Sequence, residues 1–270
     1  MRIMTATRLR SLAPTLLPLA SFILFLAMWE YAVAAGWLRR LLFPPPSRLF
    51  ASAIELAVDG FPVGKTLLNH VVVTLLRIGG GFLAAVALAL PLGLLIGTRP
   101  FLDRMTQPIV AFCRSVATLS LLPLALVWFG IDEASKIFLI GYGCFWVMLS
   151  NVVAAVRLVD PVLMRAAYTM DTPPYRVFSH VILPAALPRL VAGARIALGV
   201  GFTVIVGAEM IGTTTGLGAL IMEARTFYRT DVTMVGMITI GLLGIAIASG
   251  MTQLERRMMP WARRGGEVAR

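Results

Sequence analysis

Four charged side chains stand where a polypeptide ordinarily carries none. Glu30, Arg114, Arg195 and Glu209 each fall inside or at the edge of a long apolar run. Where the surroundings are lipid, such groups mark substrate paths, gates or ion relays. Other reactive groups are scattered. His70 and His180 lie outside the apolar cores, and Cys113 and Cys144 lie inside them. Neither cysteine has a second Cys or a His at ligand spacing, so both read as small buried residues. The sequence offers no nucleophile with a base and no metal set. Gly60-Phe-Pro-Val-Gly64-Lys65-Thr66 looks like a phosphate-binding loop, but it holds three residues between its glycines where that motif has four. No hydrophobic strand precedes it. Nucleotide hydrolysis by this chain is not expected.

The elements that must position these groups are dictated by composition. Of 270 residues, 59% are hydrophobic and 14% charged, with a mean hydropathy of +0.87. A soluble domain of this size needs a more polar surface, so the solvent for most of the chain is a lipid bilayer. The formal charge of +11 then reads as arginines gathered at one membrane face, not as a nucleic-acid surface.

A spanning helix needs ~20 mostly apolar residues. The sequence predicts an all-α integral membrane protein with six spans, at about 12–36, 77–98, 108–130, 136–156, 189–212 and 232–253. They form one domain, 12–255, between a short N-terminal segment, 1–11, and a basic tail, 256–270. Glycines such as Gly79–Gly81 and Gly93 with Gly97 would weaken a helix in water; in lipid they allow close helix approach.

Six spans place both termini on one side. With that side as the cytoplasm, Arg39, Arg40, Arg48, Lys65, Arg77, Lys136, Arg225 and Arg229 fall outside, and the other sixteen of the 24 basic residues fall inside or near it. The excess of inner charge favours this orientation, although Arg39 and Arg40 run against it. The first span has a second reading as a cleaved signal peptide, with Arg8 and Arg10 before the apolar run and Ala32-Val33-Ala34 as the cleavage site. Between the first two spans, Pro44–Pro46 stop the first helix. Ser47 then caps a short helix lying along the outer surface.

The stretch RAAYTMDTPPYRVFSHVILPAALP, 165–188, interrupts the apolar pattern. Asp160-Pro161 makes a helix start, a capping carboxylate followed by proline at the first helical position. Two helical turns run to Met170, and Asp171-Thr172-Pro173-Pro174 breaks them. A second short helix follows from Tyr175 to Leu183, after which Pro184 and Pro188 lead into the fifth span. Ala166 and Ala167 give the first helix a small-residue face open to another protein's cleft, with Tyr168, Tyr175 and Phe178 as anchor groups.

This loop resembles the EAA loop of ABC-importer permeases: Glu-Ala-Ala, three residues, Gly, nine residues, then Ile-x-Leu-Pro. Ala166-Ala167, Asp171 and Val181-Ile182-Leu183-Pro184 match that spacing. Arg165 stands at the Glu position and Asp171 at the Gly position, where a positive φ is useful and Asp tolerates it. FPPPSRLF, LLPLALVWFGIDEASKIF at 121–138, GARIALGVGFTVIVGAEMIGTTTGLGALI at 193–221 and Trp261 look like the nitrate/sulfonate/taurine-type permeases. The resemblance implies a multi-pass subunit in the bacterial inner membrane, both termini cytoplasmic, forming a homodimer with two copies of an ATP-binding subunit and one periplasmic binding protein. It implies that ATP and Mg²⁺ bind the partner ATPase and that this chain holds no cofactor. Arg165, Ala166, Ala167, Asp171, Val181, Leu183 and Pro184 would form the ATPase-coupling loop. The implied cargo is a small anion such as a sulfonate, taurine or nitrate, although relatives also carry heterocyclic vitamin precursors. The rival reading, an ion-coupled secondary transporter, needs carboxylates near the bilayer midplane, often in repeated halves; the acids here sit near span ends.

Two readings stand for each charge. Glu209 lines an outer gate or the translocation path, or it pins the outer loop Gly212-Thr-Thr-Thr-Gly216-Leu-Gly218. Glu209 lies fourteen residues beyond Arg195, ~21 Å along a helix, which argues against a pair between them within one subunit. Arg114 and Arg195 line the path or snorkel to headgroups. Glu30, beside Trp29, reads as an interfacial anchor.

Overall fold

The computed structural model describes residues 20–258, which are helical with no strand. The expected N-terminal segment, the start of the first span and most of the basic tail lie outside the described residues. Within them the chain divides into two compact units, one of residues 20–68 and 220–238, the other of residues 69–219 and 239–258.

In the first unit, α1 (Ala20–Ala34) is a short apolar helix and α2 (Pro46–Val58) follows the prolines. The expected capping by Ser47 is not what occurs. Pro45 is the N-cap, extended at ψ 152°, and Pro46 opens the helix. Ser47 falls one residue inside, and both its N–H (3.1 Å) and its hydroxyl (2.8 Å) donate to the Glu30 carboxylate. Glu30 thus supplies the negative charge that a helix N-terminus favours. The turn after α2 closes on itself. Phe61 N–H donates to the Lys65 carbonyl (2.9 Å), Lys65 N–H to Pro62 (2.9 Å) and Gly64 N–H to Asp59 (3.2 Å), so these amides are engaged within the turn. Asp231, only 7% exposed, ties α2 to the start of α11 (Thr230–Met258) by accepting from Ser52 Oγ at 2.8 Å and Arg229 Nε at 3.0 Å. Arg229 also reaches Glu55 at 3.1 Å.

The second unit holds α3 (Leu67–Thr98) from Asn69 onward, α4 (Pro100–Ser115), α5 (Leu122–Phe129), α6 (Glu133–Arg157), α7 (Pro161–Thr169), α8 (Pro174–Arg176) and α9 (Leu183–Glu209). The helix α10 (Leu217–Thr226) and α11 each run from one unit into the other. Four helical runs among the described residues are long and apolar enough to cross a membrane: 67–98, 133–157, 174–209 and 230–257. A fifth forms if α4 and the segment Thr118–Phe129, which meet at 81°, count as one. The expected unbroken span at 108–130 is therefore divided. Val116 and Ala117 are extended (ψ 121° and 114°), a turn of 3₁₀-helix covers Thr118–Leu121, and Pro123 sits in the first turn of α5, where its missing N–H costs nothing.

Close approach organises this unit. A Cβ at Gly81 would meet Ile140 Cβ at 2.6 Å, one at Gly93 would meet Val152 Cγ1 at 2.6 Å, and one at Gly97 would meet Val156 Cβ at 2.8 Å. With Ala85 and Ala89 between them, both buried, these residues repeat every four positions and let α3 lie flat on α6. A neighbouring flank of α6 meets α9, where a Cβ at Gly193 would strike Asn151 at 2.5 Å and one at Gly201 the Cys144 sulfur at 2.7 Å. Cys144 is fully buried and donates to the Ala197 carbonyl at 3.2 Å. Helix α6 is the spine of the unit.

Candidate functional site: the two ends of α9

The loop before α9 is built as its residues suggest at the start and differently at the finish. Asp160 Oδ1 accepts the Val162 N–H at 2.8 Å and caps α7. Asp171 has φ 52°, the left-handed conformation, and Thr172 N–H returns to the Ala167 carbonyl at 3.2 Å. That six-to-one bond with a left-handed residue is a Schellman ending, here made by Asp where Gly is usual. The expected second short helix, 175–183, is not separate. A continuous helical run extends from Pro174 to Glu209, with Val177–Ile182 as a π-helical segment. Pro184 explains it. A proline frees the carbonyl four residues earlier and crowds it; the wider π turn just before accommodates both effects.

The two alanines have different fates. Ala166 is exposed, as are Arg165, Asp171 and Pro184, while Val181 and Leu183 are half-buried. Ala167 is only 6% exposed and belongs to the core with Val177, Ile182 and Ala186. The expectation that both alanines face a partner is corrected: at i and i+1 they point 100° apart on a helix, and one of them holds α7 to its own chain. Tyr175 is exposed with the Arg176 guanidinium over its ring at 5.7 Å, and Phe178 is half-buried against the core. The side chain of Tyr168 is not among those described. Arg189 Nη1 donates to the Leu158 carbonyl at 2.6 Å, joining α9 to the end of α6.

The other end of α9 is an ion cluster whose centre, Arg77 and Glu209, is buried and whose third member, Glu133, is exposed. Glu209 is fully buried. Its carboxylate accepts from Arg77 Nη1 at 2.7 Å, Thr74 Oγ1 at 2.9 Å and Gly218 N–H at 3.0 Å. Arg77, 3% exposed, also donates to the Thr215 carbonyl at 2.7 Å and grips Glu133 with Nε and Nη2 at 2.5 and 2.6 Å. The loop after α9 is held along most of its length: Thr213 Oγ1 donates to the Glu209 carbonyl, Gly216 lies against His70 Nδ1, and Leu217 N–H donates to Thr74 Oγ1 at 3.0 Å. A Cβ at Gly216 would stand 2.4 Å from the Glu209 carboxylate, so only glycine fits there. Between the two readings of Glu209, this geometry is that of a pin. Buried carboxylates need this degree of pairing to remain charged.

The remaining sites separate. Arg195 is exposed, 3.8 Å from Glu255. Arg114 is exposed at the last turn of α4, with no acidic partner among the described residues. Sequence reasoning counted Arg77 only as an outer charge and gave Glu133 no role. The alternation of predicted spans puts the start of the second, the start of the fourth and the end of the fifth on one side of the membrane, but it does not say that Arg77, Glu133 and Glu209 meet there.

Fold and site together define a helical membrane transport subunit. The chain belongs to the family described as binding-protein-dependent transport system inner membrane component, whose model matches residues 89–260. It is 34% identical to the taurine transport system permease protein of Escherichia coli K12, over 91% of this chain and 89% of that one. It is 32% identical to a putative aliphatic sulfonates transport permease protein of Bacillus subtilis 168, over 87% and 84%, and 27% identical to the bicarbonate transport system permease protein of Synechocystis, over 90% and 88%. Among solved structures, an inward-facing MetNI methionine ABC transporter matches with a TM-score of 0.62 and 25% identity, over 71% of this chain and 95% of that one.

Proposed function

We propose that this chain is the membrane permease of an ATP-driven importer of a small anion of the sulfonate or taurine class, coupled to a separate ATPase through residues 157–188. The observation that carries the coupling is the two-sided construction of α7. Ala167 fixes it to the core while Arg165, Ala166 and, beyond it, Tyr175 remain outside. A docking element needs one bound face and one presented face, and the segment that follows α7 continues from Pro174 without a break into a spanning helix. The names of the relatives support the anion class. In this reading both termini are cytoplasmic, the subunit works as a homodimer with two ATPase copies and a periplasmic binding protein, and ATP with Mg²⁺ binds the ATPase alone. Closure of the ATPases draws the loops together and opens the path outward; hydrolysis resets it.

Affinity purification from the native membrane, with co-purifying chains identified by mass, tests this. A stoichiometric chain carrying a complete GxxxxGK[ST] loop is expected. Isolation of the chain only with itself, together with uptake driven by an ion gradient, would replace this reading with a secondary transporter.

A further inference from the structure

Beside α6 lies a cleft of about 510 Å³ whose other wall is α4, a volume typical of small-ligand sites. On α4, Asp103, Gln107 and Arg114 line it from four- and seven-residue spacings, which place them on one helical face. On α6, Ser150 and Arg157 line it from a matching seven-residue spacing. Asp103 is only 5% exposed and forms an ion pair with Arg157. That pair neutralises one end. Arg114 stands eleven residues further along α4, ~16 Å away, and no carboxylate among the described residues reaches it. Thr106 and Ser150 donate their hydroxyl protons to backbone carbonyls, of Leu102 and Val147, both at 2.9 Å. At the end away from that pair, the donors left for a ligand are the Arg114 guanidinium and the Gln107 amide.

We infer that this cleft binds one small oxoanion, its head held by Arg114 and Gln107. A guanidinium among spanning helices needs a counter-charge, and its planar fork matches two oxygens of a sulfonate, sulfate or phosphate. Val153 and Ala154 between Ser150 and Arg157 offer an apolar wall for a short organic tail. The inference rests on the importer reading only in taking a sulfonate as the soluble ligand. The same chemistry comes from two sources, a soluble anion or the phosphate of a lipid headgroup.

The test uses the full chain in phosphatidylcholine nanodiscs, titrated calorimetrically with taurine, methanesulfonate and sulfate, and native mass spectrometry with added phosphatidylglycerol. Saturable binding of a soluble anion is expected, weakened about tenfold or more by Arg114→Gln. Ala111→Phe, which fills the cleft from an exposed lining position and leaves every polar group in place, gives the same loss with an unchanged melting temperature. Retention of phosphatidylglycerol alone, lost in both variants, upholds the site with a headgroup as its ligand. Binding indifferent to both variants, or none from either source, overturns it. Anion binding that persists while ATP-driven uptake is absent would count against the importer reading and leave this site standing.

Discussion

The two ends of α9 are made from different materials. At its C-terminal end, Arg77, Glu209 and the Thr74 hydroxyl are buried and mutually bonded, the exposed Glu133 closes on Arg77 from outside, and the loop that follows is held at Thr213, Thr215, Gly216 and Gly218. Before its N-terminal end, polar groups bond to their nearest neighbours. Asp160 caps its own helix, Thr169 bonds to Arg165 and Ala166, and Ser179 bonds to Tyr175. Long-range bonds of charge fix one end in a single arrangement; at the other, apart from the Arg189 bond to the Leu158 carbonyl, the polar bonds are local.

That contrast can be broken most violently at Arg77. Arg77→Met strands the buried Glu209, and loss of a buried partner costs about 3–5 kcal/mol; thermal unfolding of the solubilised chain should show it, while residues 157–188 keep their protease resistance until the whole chain melts. An equal loss of stability from Arg165→Met would erase the distinction. Next comes the pair of alanines. Ala167→Glu forces a carboxylate into the core and should lower stability by about 2 kcal/mol or more, whereas Ala166→Glu should leave the melting temperature alone and reduce co-purification of the ATPase. If the two variants behaved alike, α7 would not have separate bound and presented faces. Glu209→Gln keeps the shape but weakens the charge-assisted bonds, for about 1–3 kcal/mol; it should slow uptake with ATPase docking intact. The smallest effect is at Asp171→Gly, which relieves a left-handed side chain and should stabilise the loop by about 1 kcal/mol at most, read as slower amide exchange at Met170 and Thr172.

The loop was legible in the sequence because its devices are local. Asp160 before proline and Asp171 at a helix end act within five residues, and spacing reveals them. The apolar runs were legible too, because length and hydropathy suffice. The ion cluster was hidden. Arg77 and Glu209 are 132 residues apart and Arg77 and Glu133 are 56 apart, and no periodicity within one helix states which span end meets which. The fate of Ala167 was hidden for another reason: alanine suits a docking face and a tight core equally. The bend at Val116–Ala117 escaped because Arg114-Ser115-Val116-Ala117-Thr118 carries no Gly or Pro at the break.

The π segment Val177–Ile182 accommodates one residue more than an α-helical turn would. Everything before it is therefore out of step with α9 by about 100° of rotation. Tyr175 and Arg176 face where they do because of that offset, not because of their own spacing from the span. Deleting a single residue between 177 and 182 would restore an unbroken helix and turn the presented face of the loop around the axis of the span. In this chain the direction in which the loop points is set by a count of residues, and a one-codon deletion is enough to re-aim it.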